Sequence, residues 1–180
     1  MPNVVELQKC LHSHPTATAA LIAWCRERRP DDAEALTVAV LCDCPADPAD
    51  YDGPLRLGAG ETLQYRRVRL NWGDLVISEA ENFYVPQRLP EQMRAELHEG
   101  AKPFGAVVAD LSPQRTTLAL LTNDDLSRGG AAAAHCRAQL AAGGFAPAEA
   151  YALHLTALMS AAGVELAELR EHYPRELLQM

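Results

Sequence analysis

A chain of 180 residues with a net charge of −8 is long enough to bury a real core, and its 48% hydrophobic and 22% charged content is that of an ordinary globular domain. Nucleic acid and anionic membranes are bound largely through surplus Lys and Arg, so the acidic balance argues against both, while a small anionic ligand needs only local positive charge. No apolar run approaches a membrane span, and the first residues lack the basic-then-apolar order of a secretory signal, so a single domain over 1–180 in the cytoplasm is expected.

Residues 4–11 and 16–29 read as helices, the second with an apolar stripe of Ala19, Leu21, Ile22, Trp24 and Cys25, a start at Thr16 and a stop at Pro30. The β-branched run Leu36 to Cys42 predicts a buried strand, and the Pro, Asp and Gly of the following PADPADYDGP mark a loop. Leu63 to Leu70 and Asp74 to Tyr84, separated by Asn71-Trp72-Gly73-Asp74, have the pattern of a β-hairpin. Period-2 spacing puts Leu63, Tyr65, Arg67 and Arg69 on one face of its first strand and Gln64, Arg66, Val68 and Leu70 on the other. Pairing then gathers Arg66, Arg67, Arg69, Glu79, Glu81 and Asn82, and such a fork of guanidinium donors suits a carboxylate ligand as well as it suits a cross-paired, solvated sheet face.

Glu91 to Glu99 fits a short helix ending at Gly100, and Lys102-Pro103-Phe104-Gly105 a tight turn before a strand at Ala106 to Ala109. Thr116 to Leu121 is a further strand, and Ala131 to Ala142, bounded by paired glycines, a helix. Ala150 to Met159 and Val164 to Tyr173 form a second hairpin across a Ser-Ala-Ala-Gly turn. The order predicts an α+β domain, an antiparallel sheet with helices packed on one side. The five cysteines are odd in number and lack a CxxC pair, and only convergence of Cys42-Asp43-Cys44 with His12-Ser13-His14 would hold a metal, so none is expected. There is no glycine-rich phosphate loop, GxSxG elbow or HExxH, and no cofactor is expected.

Several short segments, in order along most of the chain, resemble the chorismate lyase family, whose fold also forms the effector-binding domain of many bacterial transcription regulators. They are Thr16 to Leu21, Arg67-Val68-Arg69-Leu70, the GDLVISEAENFYVP segment, Lys102-Pro103-Phe104-Gly105, Arg115-Thr116-Thr117-Leu118 and Glu171-His172-Tyr173-Pro174. The resemblance implies a chorismate lyase-like enzyme that eliminates pyruvate from chorismate to leave 4-hydroxybenzoate. Arg67 resembles the arginine that holds a substrate carboxylate, and Glu171 the glutamate near the substrate hydroxyl. Without a gap Arg170 would take the place of Glu171, and Glu168 lies on the same face as Arg170. Ala17, Phe104 and Gly105 fall where the family supplies backbone groups and pocket walls. Asn82 falls where the better-known lyases carry a second arginine, which leaves less positive charge for a dicarboxylate. The alternative is a sensor or carrier that binds a small carboxylate or aromatic acid in the same pocket without turnover. A third class, a protein-interaction module, has the Ala131 to Ala142 helix as its one candidate surface.

Overall fold

Residues 3–30 and 36–180 are described by a computed structural model. The chain begins with two helices, α1 (Val4–His12) and α2 (Ala17–Arg28), each started by a side chain that satisfies amide donors left over at a helix N-terminus. Asn3 accepts from Val5 and Glu6, and Thr16 accepts from Ala19. Their apolar faces, with Leu7, Leu11, Leu21 and Trp24 buried, rest on the sheet.

Among the described residues six strands form one antiparallel sheet in the order β1-β2-β3-β6-β5-β4. They are β1 (Leu36–Ala46), β2 (Leu63–Trp72), β3 (Leu75–Tyr84), β4 (Gln114–Thr122), β5 (Tyr151–Ala161) and β6 (Val164–Pro174). Both expected hairpins are present as β2–β3 and β5–β6, and β3–β6 pairing joins them at the centre. The first strand differs from its expected character. It lies at an edge with β2 as its partner and is half-exposed along its length, with Leu41 at 45% exposure, so β-branched content marked a strand without marking its depth.

Between β3 and β4 come α3 (Glu91–Glu99), closed by Gly100 at φ 78°, and the single turn α4 (Phe104–Val107). The strand expected at Ala106 to Ala109 is therefore a helical turn followed by a 3-10 turn at Ala109–Leu111. Pro103 enters the turn at φ −68°, and Phe104, Val107 and Val108 bury at helical spacing, so an apolar run too short to show its period takes the conformation its packing demands.

After β4 come α5 (Asn123–Arg128) and α6 (Ala131–Ala142), the second with the boundaries expected. α5 was not anticipated, although Thr122-x-x-Asp125 is a capping box, with Thr122 Oγ1 accepting from the Asp125 amide and Asp125 accepting from the Thr122 amide. Thr122→Ala should cost about 1 kcal/mol, read as a lowered urea midpoint at unchanged m-value. α1 to α4 cover one face of the sheet, while α6 and the loop after β1 cover the other. Among the described residues no helix is long and apolar enough to cross a membrane.

Candidate functional site

Strand parity divides the polar residues of the sheet between its two faces. On the face under α2 and α4, Val68 and Leu70 of β2, Asn82 of β3 and Glu171 of β6 floor a cavity roofed by Ala17, Phe104 and Gly105. A Cβ added at Gly105 would come within 3.2 Å of Thr16 Cβ, so this glycine lets α4 settle onto the start of α2. The roof lies close to the floor. About 30 Å³ is open to a water molecule, room for one.

Glu171 is the acidic group of this cavity. Its carboxylate accepts from the Tyr173 hydroxyl at 2.7 Å and lies 3.8 Å from Arg115 Nη1, and the side chains of both ion-pair partners are buried. Burial pushes the carboxyl pKa up, with Arg115 and the Tyr173 hydrogen bond pulling the other way, and the same enclosure raises the Tyr173 phenol well above its usual value. Arg115 also donates to the Leu11 carbonyl, which ties α1 to this corner.

Arg67 does not join this group. It lies on the opposite face with Tyr65 and Arg69, opposite Glu81, so the expectation that it shares a pocket with Phe104 and Gly105 fails on parity. The side chain one position earlier takes the facing that Arg67 was expected to have. Arg66, on the same face as Val68 and Leu70, is fully buried and stands directly across from Asn82 in the strand register. Its Nη2 donates to the Lys102 carbonyl at 3.1 Å, next to the turn that carries Phe104, while Nε and Nη1 have no partner among the described residues. Asn82 Oδ1 is likewise buried without one. Desolvation pulls the Arg66 pKa down, with Asp43 across the other strand boundary acting against it. Two orphan guanidinium donors and an orphan amide oxygen in one buried row are costly unless something else meets them.

Of the six residues proposed from the sequence, Ala17, Asn82, Phe104, Gly105 and Glu171 therefore line one cavity. Arg66, Arg115 and Tyr173, which lie behind the lining and adjoin Asn82 and Glu171, were missed as its polar neighbours. The signal for Arg66 was present in the alternation that grouped it with Val68 and Leu70, the more apolar side of the strand. Arg115 had no such signal, since its contact with Glu171 spans β4 and β6, which are not neighbours in the sheet.

No protein-family profile matches the sequence. The chain is 36% identical over 110 residues to "Uncharacterized protein y4mC" of Sinorhizobium fredii (strain NBRC 101917 / NGR234), a match covering 60% of this chain and 46% of that protein. The chain thus spans less than half of that relative's length. Among solved structures it is similar to the effector domain of PhnF from Mycobacterium smegmatis, with a TM-score of 0.52 and 14% identity over 90% of each chain. PhnF itself aligns with a TM-score of 0.53 and 13% identity over 92% of this chain and 66% of that one. A GntR-family transcriptional regulator from Enterococcus faecalis aligns at 9% identity and a TM-score of 0.46, over 79% of this chain and 96% of the other. The likeness to PhnF establishes a shared fold, the six-stranded antiparallel sheet with its helices.

Proposed function

We propose that this chain is a small-ligand-binding domain whose ligand, a small carboxylate or aromatic acid, occupies the cavity between the central strands and α2 and α4. The observation that carries the reading is Arg66, a fully buried guanidinium whose Nε and Nη1 lack partners among the described residues, across from Asn82, whose Oδ1 also lacks one among them. Nε and Nη1 lie on different edges of the guanidinium, so a carboxylate oxygen of such a ligand would meet one of them while a second acceptor, a hydroxyl or carbonyl of the same ligand, meets the other. Apolar walls from Val68, Leu70, Phe104 and Leu169 suit the rest of an aromatic acid. The fold shared with the PhnF effector domain agrees with a ligand-binding role. Because the cavity holds one water in its closed form, entry requires α4 and the preceding turn to move outward from the sheet. Calorimetry with a series of aromatic and aliphatic carboxylates tests this. Arg66→Gln should weaken the best ligand by about 2 to 5 kcal/mol, the cost of losing one partner of a desolvated charge pair, and unchanged affinity would remove Arg66 from the site.

A second reading, cleavage of chorismate to 4-hydroxybenzoate and pyruvate, is favoured by Glu171. A buried carboxyl with a raised pKa, hydrogen-bonded to Tyr173 in the same cavity, has the properties of a group that manages a proton. Here Asn82 replaces a second cation, and Arg66 and Arg115 are the guanidinium groups near the cavity. Incubating the protein with chorismate and following both products separates the readings. In a lyase, Glu171→Gln lowers turnover far more than affinity, because its contribution is made in the transition state, whereas a binder shows no turnover to lose.

A further inference from the structure

The opposite face of the sheet carries a separate groove of about 580 Å³, within the range of small-molecule sites of roughly 300 to 1,000 Å³. Its walls are the loop after β1, at Asp50 to Asp52, and α6, at Ala138 to Ala142. Its floor holds Tyr65, Arg67, Glu81, Phe83 and Arg170. Arg170 already has carboxylate partners, Glu168 at 2.9 Å and Asp52 at 2.7 Å. Arg67 and Glu81 are matched differently. They stand opposite each other in the register of β2 and β3, where cross-strand neighbours of opposite charge ordinarily pair, yet their heads are turned to other groups.

Glu81 is 3% exposed; its Oε1 accepts from the Tyr65 hydroxyl at 2.7 Å and its Oε2 is buried with no partner among the described residues. Arg67 donates to the carbonyls of Gly143 and Gly144 and lies 3.9 Å over the Phe145 ring. Its Nε is unpartnered, and among the described residues it has no carboxylate partner. Both heads meet the same turn after α6. A Cβ added at Gly143 would come within 2.7 Å of Glu81 Oε1, and one added at Gly144 within 3.5 Å of Arg67 Nη1. The turn therefore holds a cation without a carboxylate hydrogen bond among the described residues beside a half-used carboxyl group, and Gly143 is what allows the chain so close to Glu81. Burial holds the Glu81 pKa up, as it does wherever a carboxyl group lacks a full set of partners.

We propose that this groove binds a small zwitterion of the α-amino-acid class, its carboxylate on Arg67 and its ammonium on Glu81 Oε2. A simple anion would satisfy Arg67 but place a second negative charge beside Glu81 and Asp50. A simple amine would satisfy Glu81 but sit against Arg67 and Arg170. A ligand carrying both charges at short separation meets both orphan groups, and its side chain would lie along the aromatic floor made by Tyr51, Tyr65 and Phe83, whose rings are 5.1 Å apart in successive pairs. This site shares no lining residue with the cavity under α2 and α4, and the inference does not depend on that cavity's ligand.

The test is calorimetric titration of the full chain with the common α-amino acids, each compared with its N-acetyl and its carboxamide derivative. At least one free amino acid should bind, with both blocked forms weaker by about tenfold or more, since each removes one of two desolvated charge contacts. Arg67→Gln and Glu81→Gln should each weaken it about as much, and Arg128→Gln, on the exposed end of α5, should leave it unchanged. The blocked-ligand comparison uses the unaltered protein, so it decides the matter even if a variant fails to fold. Absence of binding by every free amino acid, or equal binding of the free and blocked forms, would each overturn the proposal.

Discussion

Replacing Arg170 by Met should destabilise the fold by about 3 to 5 kcal/mol, because it strands a buried carboxylate. Glu168 is 1% exposed and receives Arg170 Nε at 2.9 Å, Nη2 at 3.3 Å and the Tyr51 hydroxyl at 2.5 Å. With the guanidinium gone, only the phenol remains, and a phenol does not neutralise the charge. Arg170 also sits 4.6 Å from the centre of the Phe83 ring, so Met keeps much of the apolar contact and isolates the electrostatic loss. Asp52, half-exposed on the loop, loses its partner at little cost because water replaces it. The double variant Arg170→Met with Glu168→Gln should recover a large part of the loss, since removing both charges leaves no stranded ion. Urea midpoints for the single and double variants read this directly. A loss below about 1 kcal/mol in the single variant would mean that the Arg170–Glu168 pair adds little to the fold.

Acidification from pH 7 to about 4.5 should remove a comparable amount of stability through two buried histidines. His154 and His172 face each other across β5 and β6, 3.0 Å apart through their Nδ1 atoms, so at most one of the two can hold the bridging proton in the neutral pair. Burial pulls their pKa values down to about 4 for His154 and about 3 for His172, with the neighbouring imidazole and arginines adding to the effect on His172. The unfolded chain takes up protons near the ordinary value of about 6.5, while the folded one does not until well below it. Stability is therefore full above about pH 6.5 and is lost as pH falls toward the folded values, at about 1.4 kcal/mol per unit for each group, or roughly 2 to 3 kcal/mol per histidine by pH 4.5. Glu81 and Glu171 oppose this, because their folded pKa values are raised and their burial penalty fades as they protonate. His172→Phe, placed against Phe145 and Tyr151, should flatten the slope between pH 6.5 and 4.5. An unchanged slope would assign the acid sensitivity elsewhere.

The extent to which the site could be read in advance follows from the range of each interaction. Both hairpins, α1, α2, α3 and α6 were legible because hydrophobic period, cap residues and glycine stops act within a few residues of chain. The Ala106 to Ala109 segment was not, since four apolar residues fit either a strand or a helical turn, and only packing beneath α2 and α3 decided between them. Of the residues named through the resemblance, Ala17, Asn82, Phe104, Gly105 and Glu171 line one cavity, while Arg67 lies one residue of register away on the other side of the sheet. A strand's side-chain period is two, so an error of one position reverses the face for every polar group assigned through it.

What the sequence by itself determined is α1, α2, α3, α6 and the six strands, the antiparallel order of each hairpin, and the division of β2 into a row of Gln64, Arg66, Val68 and Leu70 and a row of Leu63, Tyr65, Arg67 and Arg69. Only the tertiary structure decided which row faces which covering layer. That choice rests on α1 and α2 burying their apolar faces against Val68, Leu70 and Leu155, on α3 and α4 packing against Met159 and Leu169, and on α6 and the loop after β1 folding over the row that holds Arg67. The union of Glu171 with Arg115, of Arg170 with Asp52 and of Arg67 with the turn after α6 came from the same source. These contacts join groups far apart in the chain, and their energies depend on burial that no local pattern records.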